Sequence, residues 1–227
     1  MKSTLIVSFL LAASSVSYGT TITWSNNLYP TATTTVDLGV TTKSFLDNSG
    51  AFNLFATSLD ITNMPNNAGL GTVFTPVYTK TVDLGYKNEG PLVEYGLGIM
   101  TESDAEIRWG YALQLNLSSV PFSSASLTVD SLDAWTNEGF RLWGSTTAGG
   151  PMTLLAQSTY STGGNPQTVT FGNTYSFFEL TSDTPNCGTD SVLLRSVAVN
   201  TVPEPATLVM MGAGLLGVGW LRLRMRS

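Results

Sequence analysis

Hydrophobic and polar residues alternate with a period of two through much of the chain, which predicts half-buried β-strands. The alternation is clearest at 113–117, where Leu113, Leu115 and Leu117 are separated by polar residues. It recurs downstream at 127–129, 140–143, 168–171 and 193–199. Turns rich in Gly, Asn and Pro separate the runs, and no soluble helix is predicted. The pattern predicts an all-β fold, an antiparallel β-sandwich that is jelly-roll-like.

The N-terminus departs from this pattern. Lys2 is followed by an apolar core of nine residues, 5–13, and then by the small residues Ser15, Ser17 and Gly19. A positive start, a short apolar core and small residues are typical of a secretory signal peptide, and nine residues are too few for a membrane span. We predict that residues 1–19 are removed by signal peptidase, which leaves an exported ectodomain of single-domain length at 20–201.

The C-terminus carries a second apolar stretch, 206–221. As a helix it extends for about 24 Å, slightly short of a hydrocarbon core of about 30 Å, which it can still span with local thinning. Arg222, Arg224 and Arg226 follow directly. Basic residues beside a span are retained on the cytoplasmic side. We therefore predict one C-terminal transmembrane helix in the inner membrane, with the ectodomain on the periplasmic side.

A short motif, Val202, Pro203, Glu204 and Pro205, precedes this helix. The order of motif, apolar helix and basic tail over 202–227 resembles the PEP-CTERM sorting signal of Gram-negative bacterial surface proteins. The resemblance implies that an exosortase-type membrane protease recognises the motif, removes the helix and releases or transfers the protein. The prolines suit this role, because they keep the chain extended and remove backbone donors.

Part of the ectodomain resembles the jelly-roll domains that are often found upstream of such a tail. The resemblance is carried by residues 95–99, 106–107, 113–117 and 130–135. It supports the predicted fold and implies little about activity.

Charge and composition exclude several classes of function. The ectodomain holds 6 basic and 15 acidic residues, a net charge of −9, which repels nucleic acid and is poorly suited to anionic lipid. The chain has no histidine, so the usual base of serine and cysteine hydrolases and the commonest zinc ligand are missing. No phosphate-binding glycine loop is present. The single cysteine, Cys187, is expected to be a small apolar side chain or an intermolecular link.

Three functions remain open. The leading prediction is an exported, non-enzymatic cell-surface or extracellular-matrix protein that associates with exopolysaccharide. The first alternative is a carbohydrate-binding module that uses an exposed tryptophan, and the candidate rings are Trp135 and Trp143.

The second alternative is a glycosidase, because that chemistry needs only two carboxyl groups. Its candidate carboxyl groups are those of Glu94, Glu102, Asp104, Glu106, Asp130, Asp133 and Glu138. Three of them, Glu102, Asp104 and Glu106, are also candidate ligands for a structural calcium ion, although the spacing of a dedicated calcium loop is missing. No other cofactor is predicted.

Overall fold

Antiparallel strands make up most of the structure. The computed structural model describes residues 18–23, 34–46, 53–80, 82–88, 94–101, 104–134, 137–183, 191–201, 212–218, 222 and 224. Most of the predicted signal peptide therefore lies outside the described residues, and its removal stays a prediction. Residues Gly19–Thr201 form one compact unit.

The strands follow one another along the chain with a single short helix between β14 and β15. Their bounds are β1 Tyr18–Thr23, β2 Thr34–Asp37, β3 Thr42–Leu46, β4 Asn53–Ile61, β5 Val73–Phe74, β6 Tyr78–Lys80, β7 Leu84–Asn88, β8 Tyr95–Thr101, β9 Asp104–Ala105, β10 Ile107–Arg108, β11 Tyr111–Asn116, β12 Phe122–Asp130, β13 Gly139–Ser145, β14 Met152–Thr159, α1 Tyr160–Gly163, β15 Gln167–Gly172, β16 Phe177–Ser182 and β17 Ser191–Thr201.

The described strands form two sheets. The nine-stranded sheet has the order β15-β12-β17-β8-β7-β2, with β1 and β10 paired to β17 and β9 paired to β8. The eight-stranded sheet has the order β3-β4-β11-β16-β13-β14-β5, with β6 paired to β4. The strand pairs with a described register are antiparallel, which confirms the predicted all-β, antiparallel class.

One apolar core receives side chains from both sheets. The alternating leucines of β11 and the apolar positions of β12 point into it, as their spacing predicts. Core residues contributed by the eight-stranded sheet include Leu54, Leu115, Leu142, Phe178 and Leu180, and those from the nine-stranded sheet include Leu84, Leu97, Leu127, Val197 and Val199. Two sheets that share one core in this way form a sandwich.

A register shift in β12 and β17 changes which residues of β17 face the core. Val129 lies opposite Leu194, whereas the preceding Thr128 lies opposite Ser196, so Arg195 is the extra residue. A β-bulge of this kind reverses the alternation on one side of it. The core-facing residues at the start of β17 are therefore Val192 and Leu194. The sequence pattern had predicted Leu193, which is buried but lies outside this core cluster.

Two glycines leave room for a chain segment on the other face of the nine-stranded sheet. Gly85 lies opposite Gly98 in the β7–β8 pair, and Gly96 follows on the same face. A β-carbon at Gly98 would overlap the backbone carbonyl group of Ala105, and one at Gly85 would crowd the Ala105 side chain. Residues 104–106 can lie this close to the sheet only because the side chains are missing.

The outer face of the eight-stranded sheet is covered by residues 62–77. Asn63 holds this segment together, because its side chain donates to the Thr75 carbonyl group at 2.8 Å and accepts from the Val77 N–H at 2.7 Å. Arg141 of β13 ties it to the sheet by donating to the carbonyl groups of Pro65 and Asn66, at 2.7 and 3.0 Å. Two small apolar clusters form under the segment. The part of this face under the segment is therefore buried as well.

Candidate functional site

The last strand of the sandwich leads directly into the predicted sorting motif. β17 lies inside the nine-stranded sheet, between β12 and β8, and its last residue, Thr201, pairs with Phe122. The motif residues Val202, Pro203, Glu204 and Pro205 lie outside the described residues, as does Arg226. Strand pairing therefore continues up to the residue before the motif.

The apolar stretch that follows is described only in part. Residues 212–218 are helical, and three large apolar side chains of this segment, Leu215, Leu216 and Val218, are 57%, 73% and 61% exposed. Arg222 and Arg224 are also helical and exposed. Within the described residues no helix has both the length and the apolar character of a membrane span, so the predicted transmembrane helix at 206–221 stays a prediction.

Several carboxyl groups of the ectodomain converge on one lysine. Lys87 extends from β7 on the face that carries the glycines, opposite Gly96. Its Nζ lies 2.5 Å from Glu106 Oε1, 3.0 Å from Glu94 Oε2 and 3.8 Å from Asp104 Oδ1. Lys87 and Glu106 are 8% and 5% exposed, respectively. The Lys87 cluster, formed by these four charged residues, pins the 104–106 segment to the sheet.

Electrostatics keep this lysine charged. Burial by itself would lower the pKa of Lys87, but the hydrogen bonds and charges of Glu106 and Glu94 outweigh burial and raise that pKa above its ordinary value. Burial likewise works to raise the pKa of Glu106, yet the bond from Lys87 holds it below its ordinary value. Burial and the neighbouring Glu106 raise the pKa of Asp104. The cluster is therefore an ion-pair network. Because Lys87 stays protonated in it, its amino group is a poor nucleophile.

Two of the three predicted calcium ligands belong to this cluster. Asp104 Oδ2 also lies 3.6 Å from a guanidinium nitrogen of Arg108. Asp104 is therefore paired with two cationic side chains of the protein, Lys87 and Arg108. Glu102 lies outside the described residues. In the described part of the chain no group of three or more potential metal ligands is arranged around a common point. Lys87 supplies the positive charge that Asp104 and Glu106 face.

Two of the other candidate carboxyl groups, those of Asp130 and Glu138, are engaged in structural contacts. Asp130 Oδ2 lies 3.2 Å from Arg195, whose guanidinium group stacks on the Tyr95 ring at 4.3 Å. Glu138 accepts the backbone N–H of Asp133 at 2.7 Å. These contacts bind strand ends and loops together.

A second polar group is buried on the outer face of the eight-stranded sheet. Glu179 of β16 is 0% exposed. Its Oε1 accepts hydrogen bonds from the Tyr78 hydroxyl group and, at 2.8 Å, from Gln114 Nε2, whereas its Oε2 has no hydrogen-bond partner among the described residues. Burial raises the pKa of Glu179, and it also raises that of Tyr78, with the charge of Glu179 adding to the effect. Glu179 therefore favours the neutral carboxylic acid.

Trp143 is buried in this same layer, so it does not supply the exposed ring that the carbohydrate-binding alternative needs. The ring is 0% exposed and packs edge-on against Phe74, with ring centroids 4.7 Å apart. Its indole N–H donates to Thr181 Oγ1 at 3.2 Å. The reason is the covering segment 62–77, which contains Phe74 and turns an outward-facing position into an interior one. Trp135, the other candidate ring, lies outside the described residues.

Sequence reasoning missed two buried charged residues, Lys87 and Glu179. A signal for Glu179 was present, because it interrupts the apolar run Phe177, Phe178 and Leu180. A charge inside an apolar run is costly to bury without partners, and it therefore marks a position with a specific environment. Lys87 follows Leu84 and Tyr86 without such a contrast, and only the fold brings the carboxyl groups to it.

Comparison with known proteins gives one match. A family described as the PEP-CTERM protein-sorting motif matches residues 201–224. No curated protein and no solved structure gives a significant match. The matched residues begin at the last residue of β17 and include the motif, the described helix and two of the three tail arginines.

Proposed function

Because the chain carries a PEP-CTERM sorting motif, which marks it as an exported target of exosortase, we propose that it is a non-enzymatic cell-surface or extracellular-matrix protein. The observation that carries the proposal is the position of the match at 201–224, directly after the last strand. The whole compact unit Gly19–Thr201 precedes the motif, so removal of the tail would leave every strand in place.

Membrane anchoring before processing is the first part of this proposal. The stretch 206–221 acts as a transient transmembrane helix, followed by Arg222, Arg224 and Arg226 on the cytoplasmic side. The exposed side chains of Leu215 and Leu216 support this, because exposed apolar groups on a helix need an apolar environment. The ectodomain is then periplasmic until exosortase releases it to the surface or the exterior.

A scaffold role for the ectodomain is the second part. Consecutive strands cross between the sheets, as β11 to β12 and β15 to β16 do, which supports a jelly-roll-like arrangement. The absence of histidine from the sequence and the use of carboxyl groups in ion pairs support a role without catalysis. Exopolysaccharide is the proposed associate. A glycan site built on tryptophan now depends on Trp135, since Trp143 is buried.

The processing step can be tested in a Gram-negative host that has an exosortase. The full chain should lose its C-terminal tail, seen by mass spectrometry, and leave the inner-membrane fraction. Glu204→Ala should remain full-length and membrane-bound, whereas Asp37→Ala, which changes an exposed carboxylate of the ectodomain, should be processed normally. Equal processing of the wild type and Glu204→Ala would contradict the role of the motif.

Association with the matrix needs a separate experiment. Residues 20–201 should co-sediment with the exopolysaccharide of the producing bacterium and should not shorten it. Release of sugar fragments would instead establish the glycosidase alternative, and the absence of any co-sedimentation would remove exopolysaccharide as the associate.

A further inference from the structure

One end of the sandwich surrounds the point at which the chain leaves the ectodomain. Three described loops lie there: 117–121 joins β11 to β12, 146–151 joins β13 to β14, and 173–176 joins β15 to β16. Thr201, the last residue of β17, pairs with the first residue of β12, which directly follows the first of these loops. We name the three loops together with Thr201 the exit end.

Backbone hydrogen bonds hold the loops of the exit end together. The Leu117 N–H donates to the Ser176 carbonyl group at 2.8 Å, and the Ser176 N–H donates to the Ser145 carbonyl group at 3.0 Å. These bonds join the first loop to the third, and the third to the end of β13. The exit end is therefore one continuous surface of the ectodomain.

Charged side chains are absent from all three loops, which contain only Ala, Asn, Gly, Leu, Pro, Ser, Thr, Tyr and Val. Exposed apolar residues lie beside them. Leu46, the last residue of β3, is 63% exposed, and Phe55 is 41% exposed. Phe55 lies opposite Asn116, the last residue of β11. The described part of this end is therefore neutral and partly apolar.

The acidic groups that give the ectodomain its charge lie mainly at the other end. The charged residue of β17 closest in sequence to Thr201 is Arg195, six positions away, or about 20 Å along a strand. Closer to the exit end, Lys43 is a cation, Glu179 is buried, and Glu94, just before β8, is paired with Lys87 at 3.0 Å; Asp47 and Glu89 lie outside the described residues. The acidic residues at the far ends of their strands or in the loops there include Asp130, Asp133, Glu138 and Asp183.

The tether to the apolar stretch is short. Only the four motif residues separate Thr201 from Ala206, where that stretch begins. Even a fully extended chain spans at most about 3.6 Å per residue, so these two positions are within about 18 Å of each other. Surface charges are screened over about 8 Å at physiological ionic strength. A membrane that holds the apolar stretch therefore lies within little more than two screening lengths of Thr201, and a tether that is not fully extended brings the exit end closer still.

We propose that the exit end is a membrane-facing surface, which rests on the lipid headgroups while the tail is anchored and before exosortase cuts it. This inference rests on the proposed function, since it needs the tail to be in the membrane. An acidic ectodomain is repelled by anionic lipid. A neutral exit end allows the domain to sit at the membrane with its acidic groups held away, and Leu46 and Phe55 give it apolar contacts with the interface.

Site-specific quenching in vesicles tests the inference. The full chain, with Cys187→Ser, carries a fluorophore on Ser119→Cys in the exit end or on Ser161→Cys in α1 at the opposite end, both at exposed positions. The variants are reconstituted in vesicles of phosphatidylethanolamine and phosphatidylglycerol with a headgroup-attached quencher. We expect several-fold stronger quenching at position 119 than at position 161. Equal quenching at the two positions would overturn the inference.

A charge-insertion pair gives a second readout. The full chain with Ser119→Glu and Thr174→Glu should show weaker quenching of a probe on Leu46→Cys as the phosphatidylglycerol fraction rises. The matched control carries the two glutamates at the opposite end, as Ser161→Glu and Ala134→Glu, and should not show this weakening of the quenching. The same response in both pairs would count against the proposed surface.

Flotation of the vesicles separates this inference from the proposed function. A chain that fails to float with the vesicles overturns membrane anchoring, and the inference with it. A chain that floats but shows no preferential quenching at position 119 overturns the inference alone and leaves the anchoring in place.

Discussion

Replacing Glu179 by glutamine tests whether one buried carboxyl group shapes the pH dependence of ectodomain stability. Burial raises the pKa of Glu179 in the folded protein, whereas in the unfolded chain the group ionises near its ordinary value of about 4.3. The folded protein therefore binds this proton more tightly. The resulting stabilisation is fully present below the unfolded pKa, and it is lost as the pH rises through the folded pKa.

The size of the effect follows from a single proton. Between the two pKa values, the free energy of unfolding falls by about 1.4 kcal/mol per pH unit on account of Glu179. Glutamine does not ionise, so this contribution disappears. Its side-chain oxygen can still accept from Tyr78 and Gln114, but its amide N–H groups take the place of the unpartnered Oε2. A buried, unpartnered donor costs about 1–3 kcal/mol. Because neutral Glu179 buries one such donor as well, its own O–H group, Glu179→Gln should have nearly the stability of the wild type at acidic pH and should become the more stable of the two as the pH rises.

Urea unfolding of residues 20–201 from about pH 4 to about pH 9 measures the difference between wild type and variant. Contributions from other titrating groups cancel in this difference. Asp37→Asn is the control, because Asp37 is exposed and its bond from the Gly39 N–H, at 2.8 Å, can be retained by asparagine. The reasoning would be refuted if the difference in unfolding free energy between the wild type and Glu179→Gln stayed constant over the whole pH range. Glu179 would then ionise in the folded protein as it does in the unfolded chain.

Three further substitutions test the packing by urea unfolding of the same fragment. Gly98→Ala should destabilise it by about 1–3 kcal/mol, because the new methyl group overlaps a backbone carbonyl group. The control, Gly172→Ala, meets open space and should change stability by less than about 1 kcal/mol. Equal effects of the two substitutions would contradict the close approach of residues 104–106 to the sheet. Lys87→Met should cost about 3–5 kcal/mol, since it leaves a buried carboxylate unpaired, and Lys43→Met on an edge strand serves as the near-neutral comparison. Trp143→Ala should cost about 3–5 kcal/mol, and a loss below about 1 kcal/mol would mean that the ring is not buried.

The strand pattern of the sandwich could be predicted because burial of one face imposes a period of two on each strand. The leucines at 113, 115 and 117 illustrate this, since all three are core residues. The pattern fails where the backbone departs from regular pairing. In β17 the extra residue Arg195 reverses the alternation, so Leu193 is not part of the core cluster. A bulge depends on the partner strand, which no local pattern contains.

The environments of single side chains were less predictable, because segments distant in sequence create them. The strand pattern correctly puts Trp143 on the face opposite Leu142, but residues 62–77 cover that face. Whether an outward residue is exposed depends on such a segment and not on the strand itself. The Lys87 cluster depends likewise on two glycines, Gly85 and Gly98, that let residues 104–106 approach the sheet. The sorting motif is different, because it is a contiguous signal and could be recognised from its own residues.

The position of β17 inside its sheet has a mechanical consequence. Any force applied to the tail enters the ectodomain at Thr201, and β17 is paired with β12 from position 193 to position 201. A pull along β17 loads these hydrogen bonds together in shear, whereas a pull across an edge strand would break them one after another. An ectodomain held by this end should therefore resist drag from flowing liquid better than one attached through a peripheral strand such as β15.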